Sequence, residues 1–369
     1  MEQDRREFIG NVTKGGIALA LASGSAPFVL TARAAEPEKK LGFALVGLGS
    51  LSTNQIAPGL QKTKYCRLAG IVSGTPEKRQ KWKAQYNIPE QNIYTYETFD
   101  KIKDNPDIDV VYVVLPNAMH GEYTIRAAQA GKHVLSEKPM EVSTKKCQEM
   151  IDACKKANRL LAVGYRCQFV PHHLEMMRIG REKIFGSVKA IEASFGFKIG
   201  DPTQWRLKKS LAGGGALMDV GIYALQGTRY TSGEEPAEIT AFETKSDPVK
   251  FREVDETINW HIKFPSGVMA NCTTSYNFNG LNRLFAGYET GWAELNPAYS
   301  YGGLEGKTSK GPINLPQVDH FATEMDDFAQ CILQNKKSKV PGEEGLRDLR
   351  LLTAIYESIE KGGKTIKIK

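Results

Sequence analysis

Short apolar runs punctuate the first half of the chain, and between them apolar positions recur at helical spacing. The runs are "LGFALVGLG" (41–49), "LAGIVSG" (68–74), "DVVYVVLPN" (109–117), "HVLSEKP" (133–139) and "LLAVGYR" (160–166). Short apolar runs bounded by Gly, Pro or Asn read as buried strands. Their alternation with helical segments predicts an α/β fold with a Rossmann-type, doubly wound parallel sheet. Ligands on such sheets sit at the carboxyl ends of the strands, and Gly47, Asn117, Lys138 and Tyr165 all fall there. One crevice therefore collects them.

With 369 residues and 41% hydrophobic content, the chain can bury a sizeable core and has the length of two domains. Its 49 basic and 42 acidic residues leave a net charge of +7 without a long basic run, which describes a solvated surface and not a nucleic-acid-binding one. Six cysteines (Cys66, Cys147, Cys154, Cys167, Cys272, Cys331) lie far apart, with no C-x-x-C and no metal-ligand spacing. Free thiols are expected, without a disulfide framework or a metal.

The N-terminus differs from the rest. "DRREFIG" places Arg5 and Arg6 ahead of Phe8 and Ile9, and an apolar, Gly- and Ala-rich run follows to Leu30. This is a twin-arginine export pattern. Gly15, Gly16, Gly24 and Pro27 interrupt the run and argue against stable membrane insertion, while "ARA" (32–34) supplies small residues for cleavage. Residues 1–34 are expected to engage the twin-arginine export machinery and to deliver the protein to the periplasm.

In the first glycine turn, Gly47 gives the tight bend and Gly49 lets the backbone approach a pyrophosphate, whose charge meets the N-terminus of the next helix. Ser52 stands where the third glycine of the fingerprint belongs. The second strand ends in Ser73, where an NAD site usually carries an Asp or Glu for the ribose 2′-hydroxyl. No carboxylate is present to repel a 2′-phosphate, and Thr75, Lys78 and Arg79 can hydrogen-bond or pair with one. The cofactor expected is NADP.

"SEKPM" (136–140) sets Lys138 directly before Pro139, which keeps the ammonium at the strand end. "AGGGALMDVGIYALQGTRY" (212–230) then gives a glycine turn and a helical pattern on which Asp219 and Tyr223 are four apart and share one face. A helix cap and a core Tyr would explain those two residues nearly as well.

Together, the glycine turn, E-K-P and G-G-G-x-L-x-D-x-G-x-Y resemble the glucose-fructose oxidoreductase and inositol dehydrogenase (Gfo/Idh/MocA) family, most of whose members have His at the last position. Tyr223, "GYRC" (164–167), "QWRL" (204–207) and "GTRY" (227–230) resemble its glucose-fructose oxidoreductase branch. The likeness runs from about Leu41 nearly to the C-terminus, "PGEEGLRD" (341–348) included. It implies a second domain on a large, open, mostly antiparallel sheet, with which β-rich patterns at 188–197, 239–244, 257–264 and 268–276 agree. Helices at 319–334 and 343–360 would pack back on the cofactor domain. The implied organisation is a leader (1–34), an NADP-binding Rossmann domain (35–162), an α/β substrate and oligomerisation domain (163–340) and a C-terminal helix on the first domain (341–369). Open sheets of this kind imply a homo-oligomer, a dimer or a tetramer.

The resemblance also implies roles. Tyr223 exchanges the proton of a sugar hydroxyl, Lys138 orients and activates Tyr223, and Asp219 positions the sugar or the Tyr. The nucleotide cradle comprises Gly47, Gly49, Ser50, Leu51, Ser73, Thr75, Lys78, Arg79, Pro116, Asn117, His120, Glu137, Lys138, Arg166, Trp205 and Arg206. The sugar meets Lys138, Tyr165, Arg166, Asp219 and Tyr223. His120 is read equally as a structural histidine. The reaction implied is NADP-dependent oxidation of an aldose, with reduction of a second sugar on the same bound nucleotide. Two rivals stay open: a family glycosidase using transient oxidation by bound NAD, against which Ser73 and Tyr223 speak, and a noncatalytic nucleotide- or sugar-binding protein.

Overall fold

The computed structural model describes residues 40–368; the expected leader lies outside these residues. Six strands form the first sheet: β1 (Leu41–Val46), β2 (Cys66–Val72), β3 (Ile93–Tyr94), β4 (Val110–Val113), β5 (His133–Ser136) and β6 (Leu161–Val163). All neighbours are parallel in the order β3-β2-β1-β4-β5-β6. Every residue of β1 and β4 is buried, as expected of central parallel strands covered on both faces. The helices that cover them include α1 (Pro76–Tyr86), α2 (His120–Gln129) and α3 (Thr144–Lys156). The chain leaves β1 in one direction for β2 and later in the other for β4, so their carboxyl ends open a crevice at a topological switch point.

After α4 (Pro171–Arg181), the chain builds a nine-stranded sheet. Its strands are β7 (Val188–Gly196), β8 (Glu238–Thr244), β9 (Thr257–Lys263), β10 (Met269–Ser275), β11 (Asn282–Tyr288), β12 (Trp292–Leu295), β13 (Gly306–Thr308), β14 (Gly311–Pro312) and β15 (Ile366–Lys367). Only the β7–β10 pair is parallel. In β9, Ile258, Trp260 and Ile262 point inward while Asn259, His261 and Lys263 face out, the period-2 pattern of a sheet buried on one face. That face is covered by α5 (Ile222–Ser232), whose residues from Ile222 to Thr231 are all buried.

Two helices close the structure. In α6 (His320–Leu333), the Asp319 carboxylate caps the start by accepting from Ala322 N–H (3.0 Å), and Asp326 accepts from Lys64 and Tyr65 N–H, which ties the helix to the entrance of β2. The long α7 (Gly342–Glu360) lies against α3 and β6 of the first domain and equally against β8 of the second sheet. The same buried Asp348 binds Gln226 and Arg229 of α5, so α7 joins the two halves instead of belonging to one. The following β15 extends the second sheet beyond β8. Strands β11 to β15 have no counterpart in the sequence patterns: β12 to β15 have four residues or fewer, and in the seven-residue β11 the run Leu284, Phe285, Ala286 breaks the apolar alternation.

Candidate active site

A cleft of about 680 Å³ runs across the carboxyl ends of the first sheet and reaches Asp219, just before α5, and Tyr223 in its first turn. At its nucleotide end, Gly47 has φ of +95°, and a Cβ there would meet the Val114 carbonyl at 2.3 Å. At Gly49 a Cβ would meet nothing within 4 Å, so the turn presents bare backbone to open space. Ser52 is fully buried and donates its hydroxyl to the Gly47 carbonyl at 2.6 Å. The residue that departs from the glycine fingerprint thus closes the loop upon itself, on the side away from a ligand.

Beside it, buried Ser73 directly follows β2, Thr75 precedes α1, and Lys78 reaches the cleft from the first turn of that helix. The two carboxylates lining the cleft among the described residues, Glu137 and Asp219, lie at the other end, beyond β4. A 2′-phosphate at Ser73 therefore meets a cation and hydroxyls without a carboxylate, and the residues present fit NADP.

At the chemical end, Lys138 follows β5 and donates to the Asp219 carboxylate at 2.9 Å and to its main-chain carbonyl at 2.6 Å. The other Asp219 oxygen accepts from Arg206 Nε at 3.0 Å and from the Tyr276 hydroxyl at 2.6 Å. Burial works to raise the Asp219 pKa, but Lys138, Arg206 and the Tyr276 hydrogen bond outweigh it and hold the carboxyl well below the usual range. Asp219 is thereby a fixed anion, and its work is to orient cations. Asp219 lies on a widened, π-type turn (Leu217–Gly221) that leads into α5 and Tyr223, a helical irregularity frequent at functional sites.

Tyr223 lines the same cleft. Its hydroxyl accepts from Arg166 Nε at 3.1 Å, whereas Lys138 Nζ lies over the ring, 5.0 Å from its centroid. Burial raises the Tyr223 pKa above the ordinary phenol value, and Arg166 opposes that rise. Lys138, expected to orient and activate Tyr223, thus neighbours its ring and bonds Asp219, while the hydrogen bond to the hydroxyl comes from Arg166.

Fifteen of the residues expected at the site line the cleft, from Gly47, Gly49, Ser50 and Leu51 through Ser73, Thr75, Lys78, Pro116, Asn117, Glu137 and Lys138 to Trp205, Arg206, Asp219 and Tyr223. Four do not. Arg79 lies one position past Lys78 on α1, does not line the cleft, and donates to the carbonyl of cleft-lining Ser73 at 2.6 Å. The buried His120 ring has its nitrogens 2.9 Å from the carbonyl oxygens of Pro139 and Leu115, which makes it a brace between the ends of β4 and β5. Tyr165 is buried away from the cleft, facing Asp348 and Tyr230. Arg166, 2% exposed, stands behind Tyr223. All four are at strand ends or helix starts, where direction depends on packing and not on sequence distance.

Sequence reasoning missed Tyr96, Tyr276, Tyr301 and Phe321. Tyr96 lines the nucleotide end beside Gly74 and meets Tyr123 edge-on at 5.5 Å; it follows the two-residue β3, too short to register as a strand. Tyr276 directly follows β10, a predicted strand, but nothing local links it to Asp219, 57 residues away. Tyr301 comes from the loop after β12 and Phe321 from the start of α6, and no periodic signal aims either one.

Residues 41–165 match the Gfo/Idh/MocA oxidoreductase family, NAD-binding Rossmann fold; residues 173–294 match a Gfo/Idh/MocA C-terminal domain; and residues 311–368 match the oxidoreductase family's C-terminal alpha/beta domain. The chain belongs to the Gfo/Idh/MocA family. Among relatives in this family, a D-xylose 1-dehydrogenase [NADP(+)] of Haloarcula marismortui is 30% identical over 333 residues, covering 86% of this chain and 91% of the relative. A second D-xylose 1-dehydrogenase (NADP(+)), from Haloferax volcanii, is 25% identical over 328 residues, 87% of this chain and 98% of that one. The crystal structure of an aldose-aldose oxidoreductase from Caulobacter crescentus, complexed with glycerol, superposes with a TM-score of 0.87 at 46% identity, over 89% of this chain and 100% of that chain. Both sheets of the present fold are therefore those of a Gfo/Idh/MocA oxidoreductase.

Proposed function

We propose that this protein is a periplasmic, NADP-dependent sugar oxidoreductase that oxidises an aldose and reduces a second sugar on the same retained nucleotide. The observation that carries the reading is the convergence of Lys138, Asp219 and Tyr223 at one end of a cleft whose other end, around Ser73, is lined by no carboxylate among the described residues. A noncatalytic binder has no use for an acid-base set so placed. The likeness to an aldose-aldose oxidoreductase and to NADP-dependent xylose dehydrogenases supports the substrate class and the nucleotide.

Ser73, Thr75 and Lys78 would hold the 2′-phosphate, and the backbone of Gly49, Ser50 and Leu51 the pyrophosphate. When bound, the nicotinamide supplies the hydride acceptor for oxidation and the donor for reduction. Tyr223 takes the proton of the sugar hydroxyl in the first half and returns one to the carbonyl oxygen in the second. Lys138, fixed by two hydrogen bonds to Asp219, aims its remaining donor at the sugar oxygen. Trp205, with the Arg206 guanidinium 4.6 Å from its ring centroid, offers an aromatic face to the sugar.

Export supports retention, since twin-arginine carriage suits a protein that folds around its nucleotide before crossing, and Arg5 and Arg6 supply the signal. Purified protein should carry nucleotide through gel filtration, release NADP on denaturation, and couple aldose oxidation to reduction of a second sugar with no nucleotide added. Activity wholly dependent on added NADP would remove the closed cycle and leave an ordinary dehydrogenase. Replacing Arg5 and Arg6 by Lys should keep folded, nucleotide-loaded protein inside the cell, and undiminished export of that variant would show the leader to be misread.

A further inference from the structure

Arg166 is a buried cation with every arm engaged. Its Nε donates to the Tyr223 hydroxyl, Nη1 to the Ser300 carbonyl (3.3 Å) and to His320 Nδ1 (2.9 Å), and Nη2 to the Tyr299 carbonyl. The ring of Tyr301 flanks it, 4.8 Å from centroid to Cζ. A guanidinium offers donors only. The Tyr223 oxygen must therefore accept from Arg166, and its own proton points elsewhere. Lys138 is likewise donor-only and lies over the ring face, and the Asp219 carboxylate is already met by Lys138, Arg206 and Tyr276. The direction left for the Tyr223 proton is the cleft, which this side chain lines.

We infer that Arg166 is a positioning residue for the reaction proposed above, holding the Tyr223 hydroxyl with its proton toward the sugar and favouring its deprotonated form, while Lys138 serves Asp219 and the substrate. The inference rests on the reading of Tyr223 as the proton-exchanging group.

The surroundings agree. Facing Tyr223 and Arg166 are Glu137 and Lys138 from the end of β5, Tyr112 of β4, Cys167 beside Arg166, His173 of α4, Asp219, Tyr299 and Tyr301 from the loop after β12, and His320 and Glu324 of α6. Of the cations in this set, Arg166 alone bonds the phenol oxygen. Because Arg166 donates into Nδ1, His320 carries its proton on Nε2, and burial together with Arg166 pushes its pKa down to about 3. The ring is neutral, and since Cys167 and Glu137 act with burial to raise the Tyr223 pKa, the opposing pull falls to Arg166, which bonds the oxygen directly.

The test measures initial rates of oxidation of D-xylose or D-glucose, whichever the unaltered protein oxidises faster, with excess NADP across pH. In Arg166→Met the midpoint of the rising limb should move up by roughly one pH unit or more, since a cation at a phenolate is lost, making the rate about tenfold lower at a fixed pH below the limb. Nucleotide affinity should stay within about twofold, because Arg166 does not line the cleft. Arg166→Lys, which keeps the charge without the planar fork, should recover part of the displacement. In Lys138→Met the plateau should fall while the midpoint stays near its original place. An unmoved midpoint in folded Arg166→Met overturns the inference. A full-unit displacement in Lys138→Met also overturns it, even if the Arg166 variants do not fold, and an unmoved midpoint there supports it. Failure of the underlying reading shows separately, as turnover retained in Tyr223→Phe.

Discussion

The two ends of the cleft are built in opposite ways. The nucleotide end is local: Gly47, Gly49 and Ser52 lie within six residues of one another, and Ser73, Thr75 and Lys78 follow the neighbouring strand. Its working surface is largely backbone, and its departure from the usual fingerprint is absorbed by one hydrogen bond from Ser52 to Gly47. The chemical end is assembled from distant segments, with Lys138 from the first sheet, Arg166 after it, Arg206 and Asp219 from the linking turns, and Tyr276 from the second sheet. Its surface is side chain, buried and cross-linked by charge. A site of the first kind tolerates substitutions that keep its backbone path. One of the second kind depends on every partner, because in a low-dielectric setting an unpaired member is costly.

The largest effect that separates the ends belongs to chemistry. Tyr223→Phe and Lys138→Ala should each lower turnover by about 10²–10⁴-fold, the usual contribution of a positioned acid-base group, with nucleotide binding kept. Equal loss of binding and turnover, read by fluorescence titration and steady-state rates, would erase the division.

At the nucleotide end, Gly47→Ala puts a side chain in a left-handed conformation against a backbone carbonyl. It should cost roughly 3 kcal/mol of stability, the upper range for a residue held in a disfavoured region. Gly49→Ala, in open space, should leave stability near that of the parent and weaken nucleotide binding instead. Denaturant unfolding of both variants checks the contrast.

Acid sensitivity sharpens the picture of the chemical end. Burial and Arg166 push the His320 pKa from 6.5 down to about 3, so the folded protein excludes a proton that the unfolded chain takes up. The stability this confers is present above pH 6.5 and is lost as pH falls toward 3. His133, pushed down to about 4 by burial and Arg159, acts in the same sense. His320→Gln, which keeps an acceptor for Arg166, should lessen the loss between pH 7 and pH 5 by up to about 2 kcal/mol. An unchanged pH slope in denaturant melts would show that His320 titrates normally.

The smallest effect concerns nucleotide choice. Ser73→Asp should weaken NADP binding about tenfold through like-charge repulsion and improve binding of NAD, because among the described residues no carboxylate lines that end. Unaltered NADP affinity would place the 2′-phosphate elsewhere.

The same division governs how much could be read in advance. The first sheet was legible because strands buried on both faces, such as β1 and β4, are continuous apolar runs, and each ends where the crevice opens. The alternating strands β7 to β10 were also visible, while β11 to β15 were too short or irregular to carry a period. Among site residues, those whose position follows from a turn, such as Gly47 or Lys138, were placed by the sequence. Arg79, His120, Tyr165 and Arg166 were at the right strand ends or helix starts yet do not line the cleft, and Tyr276 and Tyr301 arrive from the second sheet and its loops.

By itself, then, the sequence determined the backbone cradle, the strand order's crevice and the residue types available for chemistry, because these depend on neighbours within a turn or a strand. Which cation meets Tyr223 was decided only by the tertiary structure. Lys138 and Arg166 both end strands of one sheet, and the choice between them was made by Asp219, which captures the ammonium, and by the loop after β12 and the start of α6, whose carbonyls and imidazole fix the guanidinium. Those partners lie from 81 to 154 residues away in sequence, and hydrogen-bond direction at that separation is a property of packing.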